Sequence, residues 1–231
     1  MTIQPQPQSI VAAQRARAPA TCAKPGSNLP GLTLPFARNQ EIYVADAPVS
    51  FIYRVVSGAV RTVSGLRDGR RQVAAFYLPG EVFGLEAGGT HHLSAEAVTE
   101  TQLALTSRSV LEWTATRDHE AVAQMWSLAT HALARTQDHL LVLGRMNAGE
   151  RVASFLIDIA ERSNSGDVVN LPMGRGDIAD YLGLTIETIS RTLHEFEERQ
   201  LIALPNCRMV KLLDVAKLQS MDAERTRRGR G

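Results

Sequence analysis

Cysteine is scarce in this chain of 231 residues, which contains only Cys22 and Cys207 and no CxxC pair. A structural zinc site, or an iron–sulfur cluster held only by cysteines, would lack ligands within one chain. Long apolar runs are also missing, because none approaches the roughly 20 residues that span a bilayer. The N-terminus has no continuous apolar segment of signal-peptide type. We therefore expect a cytoplasmic protein with no membrane partner.

The sequence also lacks an excess of charge of either sign. Its formal net charge is +1, so no overall positive field predicts binding to nucleic acid, and any basic contact surface must be local. Hydrophobic residues make up 44% of the chain, an ordinary fraction for a soluble protein. A chain of 231 residues is long enough for one large domain or two modest ones.

Three patterns follow one another in the first 146 residues. Residues 1–30 are rich in Gln, Pro, Ala and Ser without a period, which predicts a disordered tail. Residues 31–117 contain short β-type runs such as EIYVADA, SFIYRVV and RQVAAFYL, and Asp68-Gly69 suits a hairpin turn. This spacing of strands predicts a sandwich or a small barrel.

Residues 118–146 form the third pattern, with apolar and small side chains at steps of three and four. They predict a helix of roughly 43 Å, long for a helix that covers one small barrel. It either packs only on its own domain or lies against a second copy of itself, since symmetric pairs are the commonest oligomers. The stripe also includes Trp126. The predicted dimerisation residues are Val122, Met125, Ala129, Ala132, Leu133, Thr136, Leu140 and Leu143.

Residues 147–231 predict helices followed by a hairpin around Pro205-Asn206-Cys207-Arg208, the order of a winged helix. Their centre is DIADYLGLTIETISRTLHEF, in which Ala179, Gly183 and Ile189 have the spacing of a helix-turn-helix. Gly183 accepts a positive φ at the turn, and Thr185 can cap the second helix.

The outward face of that second helix carries Glu187, Ser190, Arg191 and His194. These are the positions that enter a major groove. Arg191 can donate to guanine, Glu187 can accept from cytosine N4, and Ser190 can meet a thymine or a phosphate. The alternative is a solvated face with an i,i+4 ion pair between Glu187 and Arg191. The predicted DNA-binding residues are Thr185, Glu187, Thr188, Ser190, Arg191, His194, Arg175 and Arg208.

Acidic and basic residues are about equally numerous from Asn147 onward, so the surface of this region must be polarised. We place Arg175, Arg191, Arg208, Lys211 and the RTRRGRG stretch on the DNA side.

Other candidate sites are weaker. His91, His92 and Glu96 predict a polar loop rather than a metal or haem site, because neighbours in a strand point to opposite faces. Cys207 is either an unreactive turn residue or a thiol near phosphates whose oxidation adds negative charge. No nucleophile–base pair, phosphate-cradling loop or metal triad indicates an enzyme. We expect no metal and no cofactor.

The segment GDIADYLGLTIETISRTL closely resembles the helix-turn-helix of the CRP/FNR superfamily of bacterial transcription regulators, in its FNR/FixK branch. Glu187, Ser190 and Arg191 match the E-x-x-S-R signature of that branch, and Ile186 stands where the cyclic-AMP branch has an Arg. The resemblance covers about residues 36–220. It implies an α+β fold with a cyclic-nucleotide-binding-like β-roll at 31–117, a dimerisation helix at 118–146 and a winged helix-turn-helix at 147–231.

The same resemblance implies a homodimer that binds double-stranded DNA at sites of the type TTGA-N6-TCAA and recruits RNA polymerase. It implies an activator of low-oxygen genes, in nitrogen fixation, microaerobic respiration or denitrification. The alternative within the superfamily is a sensor that responds to a small ligand, haem or nitric oxide.

Two departures from the family pattern bear on what the protein senses. Gly80-Glu81 is kept, but Leu93 replaces the Arg that neutralises a nucleotide phosphate, so cyclic-nucleotide binding is not expected. The cysteine cluster that holds the iron–sulfur centre of FNR is also missing, and that function is not carried over.

Overall fold

A computed structural model describes residues 31–65, 71–86 and 88–228. The tail at 1–30 with Cys22, the turn at Asp68-Gly69 and the side chains of the RTRRGRG stretch lie outside the described residues. The strands of the N-terminal half are β1 (Leu32–Phe36), β2 (Glu41–Tyr43), β3 (Phe51–Ser57), β4 (Val60–Gly65), β5 (Arg71–Tyr77), β6 (Val82–Phe83), β7 (Ser94–Ala97) and β8 (Thr101–Ser107).

These strands form two antiparallel sheets, in the orders β1-β8-β3-β6 and β2-β7-β4-β5. The space between them is filled by aromatic rings. The rings of Tyr53 and Phe83 stack at 5.1 Å between centroids, and that of Tyr43 lies 5.4 Å from that of Tyr53. The predicted barrel-like β domain is therefore a β-roll.

The helices that follow are α1 (Arg108–Ala115) and α2 (His119–Arg145). The sequence pattern did not indicate α1 as a separate helix, because its eight residues follow β8 directly and are too few to show a period. Asn147 then starts the next helix with a capping box, accepting from Glu150 N–H while the Glu150 carboxylate accepts from Asn147 N–H.

The C-terminal part contains α3 (Ala148–Ser163), β9 (Val168–Asn170), α4 (Arg175–Leu182), α5 (Ile186–Glu198), β10 (Ile202–Asn206), β11 (Met209–Leu212) and α6 (Val215–Arg228). The sheet order β10-β11-β9 includes the predicted hairpin and adds β9. The fold is α+β, as the sequence predicts, with a β-roll followed by a winged helix-turn-helix.

One apolar cluster joins the two halves of the described chain. Val73 and Phe76 of β5 pack in it with Phe155 of α3 and Ile178 of α4. The winged helix is therefore seated on one face of the β-roll. No helix in the described part of the chain is long and apolar enough to cross a membrane.

Candidate nucleic-acid interface

The turn between α4 and α5 is built by local chemistry. Gly183 adopts φ 62°, a left-handed conformation that glycine accepts without strain, and its N–H caps α4 at the Ala179 carbonyl. Thr185 then caps α5, because its hydroxyl accepts from Thr188 N–H at 3.1 Å. Ile189, at 0% exposure, anchors the buried stripe of α5. The two helices are thereby fixed in a helix-turn-helix.

The opposite face of α5 presents Glu187, Arg191 and His194 to solvent. Among the described residues, no ion pair forms between Glu187 and Arg191, so the solvated-face alternative loses its expected contact. The pKa of Glu187 is lowered by its own backbone N–H at the helix N-terminus and by the Thr185 hydroxyl. Glu187 is therefore a charged acceptor at neutral pH. The His194 ring lies 3.4 Å from the Glu198 carboxylate.

The remaining predicted residues are half-buried. The Arg175 guanidinium donates to the Ser190 hydroxyl at 3.1 Å, which ties α4 to α5. Thr188 is held in the N-terminal turn of α5 by Thr185. Arg208 donates to the Pro172 carbonyl, so its guanidinium braces the base of the wing, and its contact with DNA stays a prediction.

The wing exposes two of the predicted side chains. Cys207 is a free, exposed thiol in the turn between β10 and β11. Lys211 is exposed on β11. Both lie on the hairpin that a winged helix extends beside its recognition helix.

Two acidic residues of the winged helix, Asp177 and Asp180, are turned toward the β-roll and pair with its arginines. Arg61 of β4 donates to both carboxylate oxygens of Asp177, at 3.0 and 3.1 Å. Arg71 of β5 donates to Asp177 and, at 2.7 Å, to Asp180. These two carboxylates are neutralised by the β-roll, whereas most of the glutamates of α5 stay exposed, and the polarised surface expected from the sequence stays a prediction.

Arg151 of α3 helps to position the helix-turn-helix, although nothing in the sequence indicated this role. Its guanidinium donates to the carbonyls of Leu143 and Met146 at the end of α2 and of Leu182 at the end of α4, each at 2.9 Å. It thus caps two helix C-termini at once and joins the long helix to the helix-turn-helix. No local pattern marks it, since its partners are backbone atoms brought together only by the fold.

The long helix α2 has two faces that the sequence pattern merged into one. Its inward face carries half-buried Met125, Ala132 and His139 with buried Val142, against the chain's own domains. Leu143 is also half-buried, beside the Gly183 turn. The outward face carries the exposed residues Val122, Trp126, Ala129, Leu133, Thr136 and Leu140.

Met125, Ala132 and Leu143 are half-buried within the chain, and Met125 lines one surface pocket together with Ile52 and Leu111. The predicted dimerisation set as a whole stays a prediction. One face of α2 packs on the chain's own domains, and the adjacent face is open to solvent. Both faces carry apolar residues, so the sequence period alone does not separate them. Trp126, 72% exposed, belongs to the open face.

His91, His92 and Glu96 are not brought together. His91 lies in the loop before β7, as predicted, but it is 1% exposed, stacks on Tyr43 at 3.6 Å and lies 3.2 Å from the Glu86 carboxylate, so its side chain belongs to the core. His92 is exposed, and Glu96 accepts from Arg61. No group of three His, Cys, Asp or Glu in the described residues could hold a metal ion.

Two domain families match the chain in the order that the fold shows. The cyclic nucleotide-binding domain matches residues 33–118, and the Crp-like helix-turn-helix domain matches residues 150–221. The nitrogen fixation regulation protein FixK of Azorhizobium caulinodans is 47% identical over 208 residues, which cover 87% of this chain and 84% of that protein. FixK of Rhizobium meliloti is 43% identical over 218 residues, covering 94% and 97%.

The solved structure of FixK2 from Bradyrhizobium japonicum superposes with a TM-score of 0.81 at 41% identity, covering 84% of this chain and 98% of that one. Identity at this level, over a shared β-roll, long helix and winged helix, shows that the chain belongs to the CRP/FNR family of DNA-binding transcription regulators, in its FixK branch.

Proposed function

We propose that this regulator binds two-fold promoter sites of the type TTGA-N6-TCAA as a homodimer and recruits RNA polymerase to activate low-oxygen genes, among them those of nitrogen fixation. The observation that carries the proposal is the face of α5. Glu187 and Arg191 lie exposed one turn apart at its start, with no ion pair between them in the described structure. A charged acceptor and a bidentate donor so placed match cytosine N4 and guanine O6 and N7.

The homodimer is supported by the open face of α2. Leu133 and Leu140 are 58% and 63% exposed on a helix of 27 residues. Leucines repeated along an exposed helix face are typical of a seam between two helices. The pathway is supported by the two FixK relatives, which are nitrogen fixation regulation proteins.

A small-molecule sensor is the second candidate, and one cavity favours it. About 340 Å³ lies between α2, α3 and α4, lined in part by Arg135, His139, Asp158 and Tyr181. The Nε2 atom of His139 is buried there without a hydrogen-bond partner. A ligand with an acceptor group would complete that site.

Binding of the purified protein to DNA in air, without added nucleotide, separates the two functions. Fluorescence anisotropy on the TTGA-N6-TCAA duplex should show tight binding by two subunits, and a duplex with both half-sites scrambled should bind only weakly. Transcription with purified RNA polymerase should rise from a promoter that carries the site. A strict need for an added ligand, or for exclusion of air, would instead favour the sensor.

A further inference from the structure

Two ionic clusters connect the β-roll to the winged helix, and they lie on different helices. The first surrounds Glu81, which follows β5 in the β-roll. Arg162 of α3 donates to both of its carboxylate oxygens, at 2.9 and 2.7 Å, and Arg135 of α2 donates at 2.7 Å. The N–H of Leu78 adds a fourth hydrogen bond at 2.8 Å. One carboxylate thus joins the β-roll, the long helix and the winged helix.

The second cluster surrounds Asp177 in the first turn of α4. Arg61 and Arg71 of the β-roll both donate to it, and the Arg61 side chain is 8% exposed. Arg61 is held in turn by Glu96, at 2.6 Å. The carboxylate therefore sits in a buried, fully paired network rather than on an open surface.

Both clusters join the β-roll to the winged helix through hydrogen bonds between charged groups, and such bonds are directional. Burial works against the charge of Glu81, but the hydrogen bonds and charge of Arg162, the Leu78 N–H and Arg135 outweigh it, so the pKa of Glu81 is lowered. Arg162 also donates to the Phe76 carbonyl at 2.6 Å. Such charge-assisted, bidentate bonds fix an angle as well as a distance.

The apolar contacts between the same parts do not fix an angle. The Phe76 ring lies 6.4 Å from that of Phe155 and 5.2 Å from that of Tyr181. Hydrophobic burial favours contact but is non-directional. A body attached by two directional contacts on different helices, by contrast, can neither slide nor pivot without leaving a buried charge unpaired, which is costly.

We propose that Glu81 and Asp177 are positioning residues for DNA binding, which hold the winged helix at one orientation on the β-roll and so set the spacing between the two recognition helices of the dimer. This rests on the proposed binding to a two-fold site. The two recognition helices of the dimer must contact both half-sites at the same time. One base pair added to the spacer moves a half-site by about 3.4 Å and about 35°. A winged helix held at two points cannot follow that movement.

The test measures spacing discrimination rather than affinity alone. Wild type, the double variant Glu81→Gln/Asp177→Asn and the single variant Arg71→Gln are compared on palindromes with the N6 spacer, with spacers one base pair shorter and longer, and on one isolated half-site. Arg71 is 39% exposed, so its variant keeps the protein folded if the double variant unfolds. Glu112→Gln, which removes an exposed ion pair with Arg108, is the matched control.

We expect wild type and Glu112→Gln to prefer the N6 spacer by at least about tenfold. The double variant should lose that spacer preference. It should still bind the isolated half-site with wild-type affinity and sediment as a dimer. Arg71→Gln should lose part of the spacer preference. Wild-type spacing preference in folded variants would overturn the inference, as would half-site affinity that falls in parallel. If wild type itself shows no preference for the palindrome, the proposed function fails instead.

Discussion

The Nη1 of Arg175 donates a hydrogen bond to the hydroxyl oxygen of Ser190 across 3.1 Å, from the first helix of the helix-turn-helix to the second. Because the Ser190 oxygen accepts this bond, its own proton is directed elsewhere. On the outer side of α5 that proton can meet an acceptor of DNA, such as a phosphate oxygen or thymine O4. The sequence predicted both residues at the DNA side, but their coupling is visible only in the fold.

This coupling predicts that Arg175→Ala and Ser190→Ala are not additive. Loss of Arg175 frees the Ser190 hydroxyl to rotate. Ser190→Ala should therefore cost less binding free energy in the Arg175→Ala variant than in wild type. A double-mutant cycle on the specific site should give a coupling of roughly 0.5–3 kcal/mol. Additive losses, with a salt dependence reduced only by Arg175→Ala, would mean that Arg175 binds phosphate independently.

The open face of α2 predicts the subunit contact. Ala129→Glu should bury like charges against their symmetry mates at a cost of about 3–5 kcal/mol, and weaken association by roughly 100-fold or more. Ala134→Glu is the matched control, since Ala134 is also exposed but lies about 140° around the helix. Sedimentation should show monomers for the first variant and dimers for the second. Dimers in both would misplace the interface.

His139 predicts a dependence of stability on pH. Burial against the Tyr181 ring, stacked at 4.0 Å, lowers its pKa below the usual 6.5, although Asp158 and the Tyr181 backbone oppose this. The unfolded chain therefore takes up a proton first as the pH falls below about 6.5, and the folded state loses stability through that window. Arg135 and Arg162 line the same cavity and add positive charge.

Chemical denaturation between about pH 7.5 and pH 5 measures the effect. His139→Gln should flatten the fall in the free energy of unfolding, whereas His131→Gln, at an exposed position of the same helix, should leave it as in wild type. An unchanged slope in the His139 variant would show that other groups carry the dependence.

Cys207 predicts sensitivity of DNA binding to peroxide. Its thiol is exposed in the wing, where an oxidised, negatively charged sulfur would repel phosphates. Peroxide should weaken binding by wild type and by Cys22→Ser, while Cys207→Ser should bind normally with and without peroxide. Equal loss of binding in all three proteins would reject the idea.

The order of the main elements was predictable from the sequence because each rests on a local signal, whereas the short elements α1 and β9 were not. Alternating short runs predicted the β domain, steps of three and four predicted α2 within one residue at each end, and Gly183 with Thr185 predicted the turn before α5. The outward face of α5 was also predictable, since its buried stripe fixes which residues point away from the core.

Contacts between distant segments were not predictable. The partners of Glu81 lie 54 and 81 positions away, and Arg61 is 116 positions from Asp177. Nothing in the local pattern of either residue marks such pairs. The division of α2 into two faces was not predictable for a related reason, because which face meets the chain's own domain depends on packing rather than on period. His91 looked polar in sequence but is stacked in the core on Tyr43.

The most direct test of the account concerns Arg191 and Glu187 on the exposed face of α5. Wild type, Arg191→Ala and Glu187→Ala are titrated on TTGA-N6-TCAA and on sites altered at one symmetric base pair. Each lost base contact should cost roughly 1–3 kcal/mol per half-site, or about 5- to 150-fold, and it occurs twice in the dimer. Arg191→Ala should nearly abolish specific binding, while weak, salt-dependent binding to any DNA persists through phosphates. Glu187→Ala should lose preference at the cytosine opposite the half-site guanine and bind nonspecific DNA slightly better, since a repelling carboxylate is gone. An equal loss of affinity on every site would show that these residues only position the protein. Unchanged binding in both variants would contradict the placement of α5 in the groove.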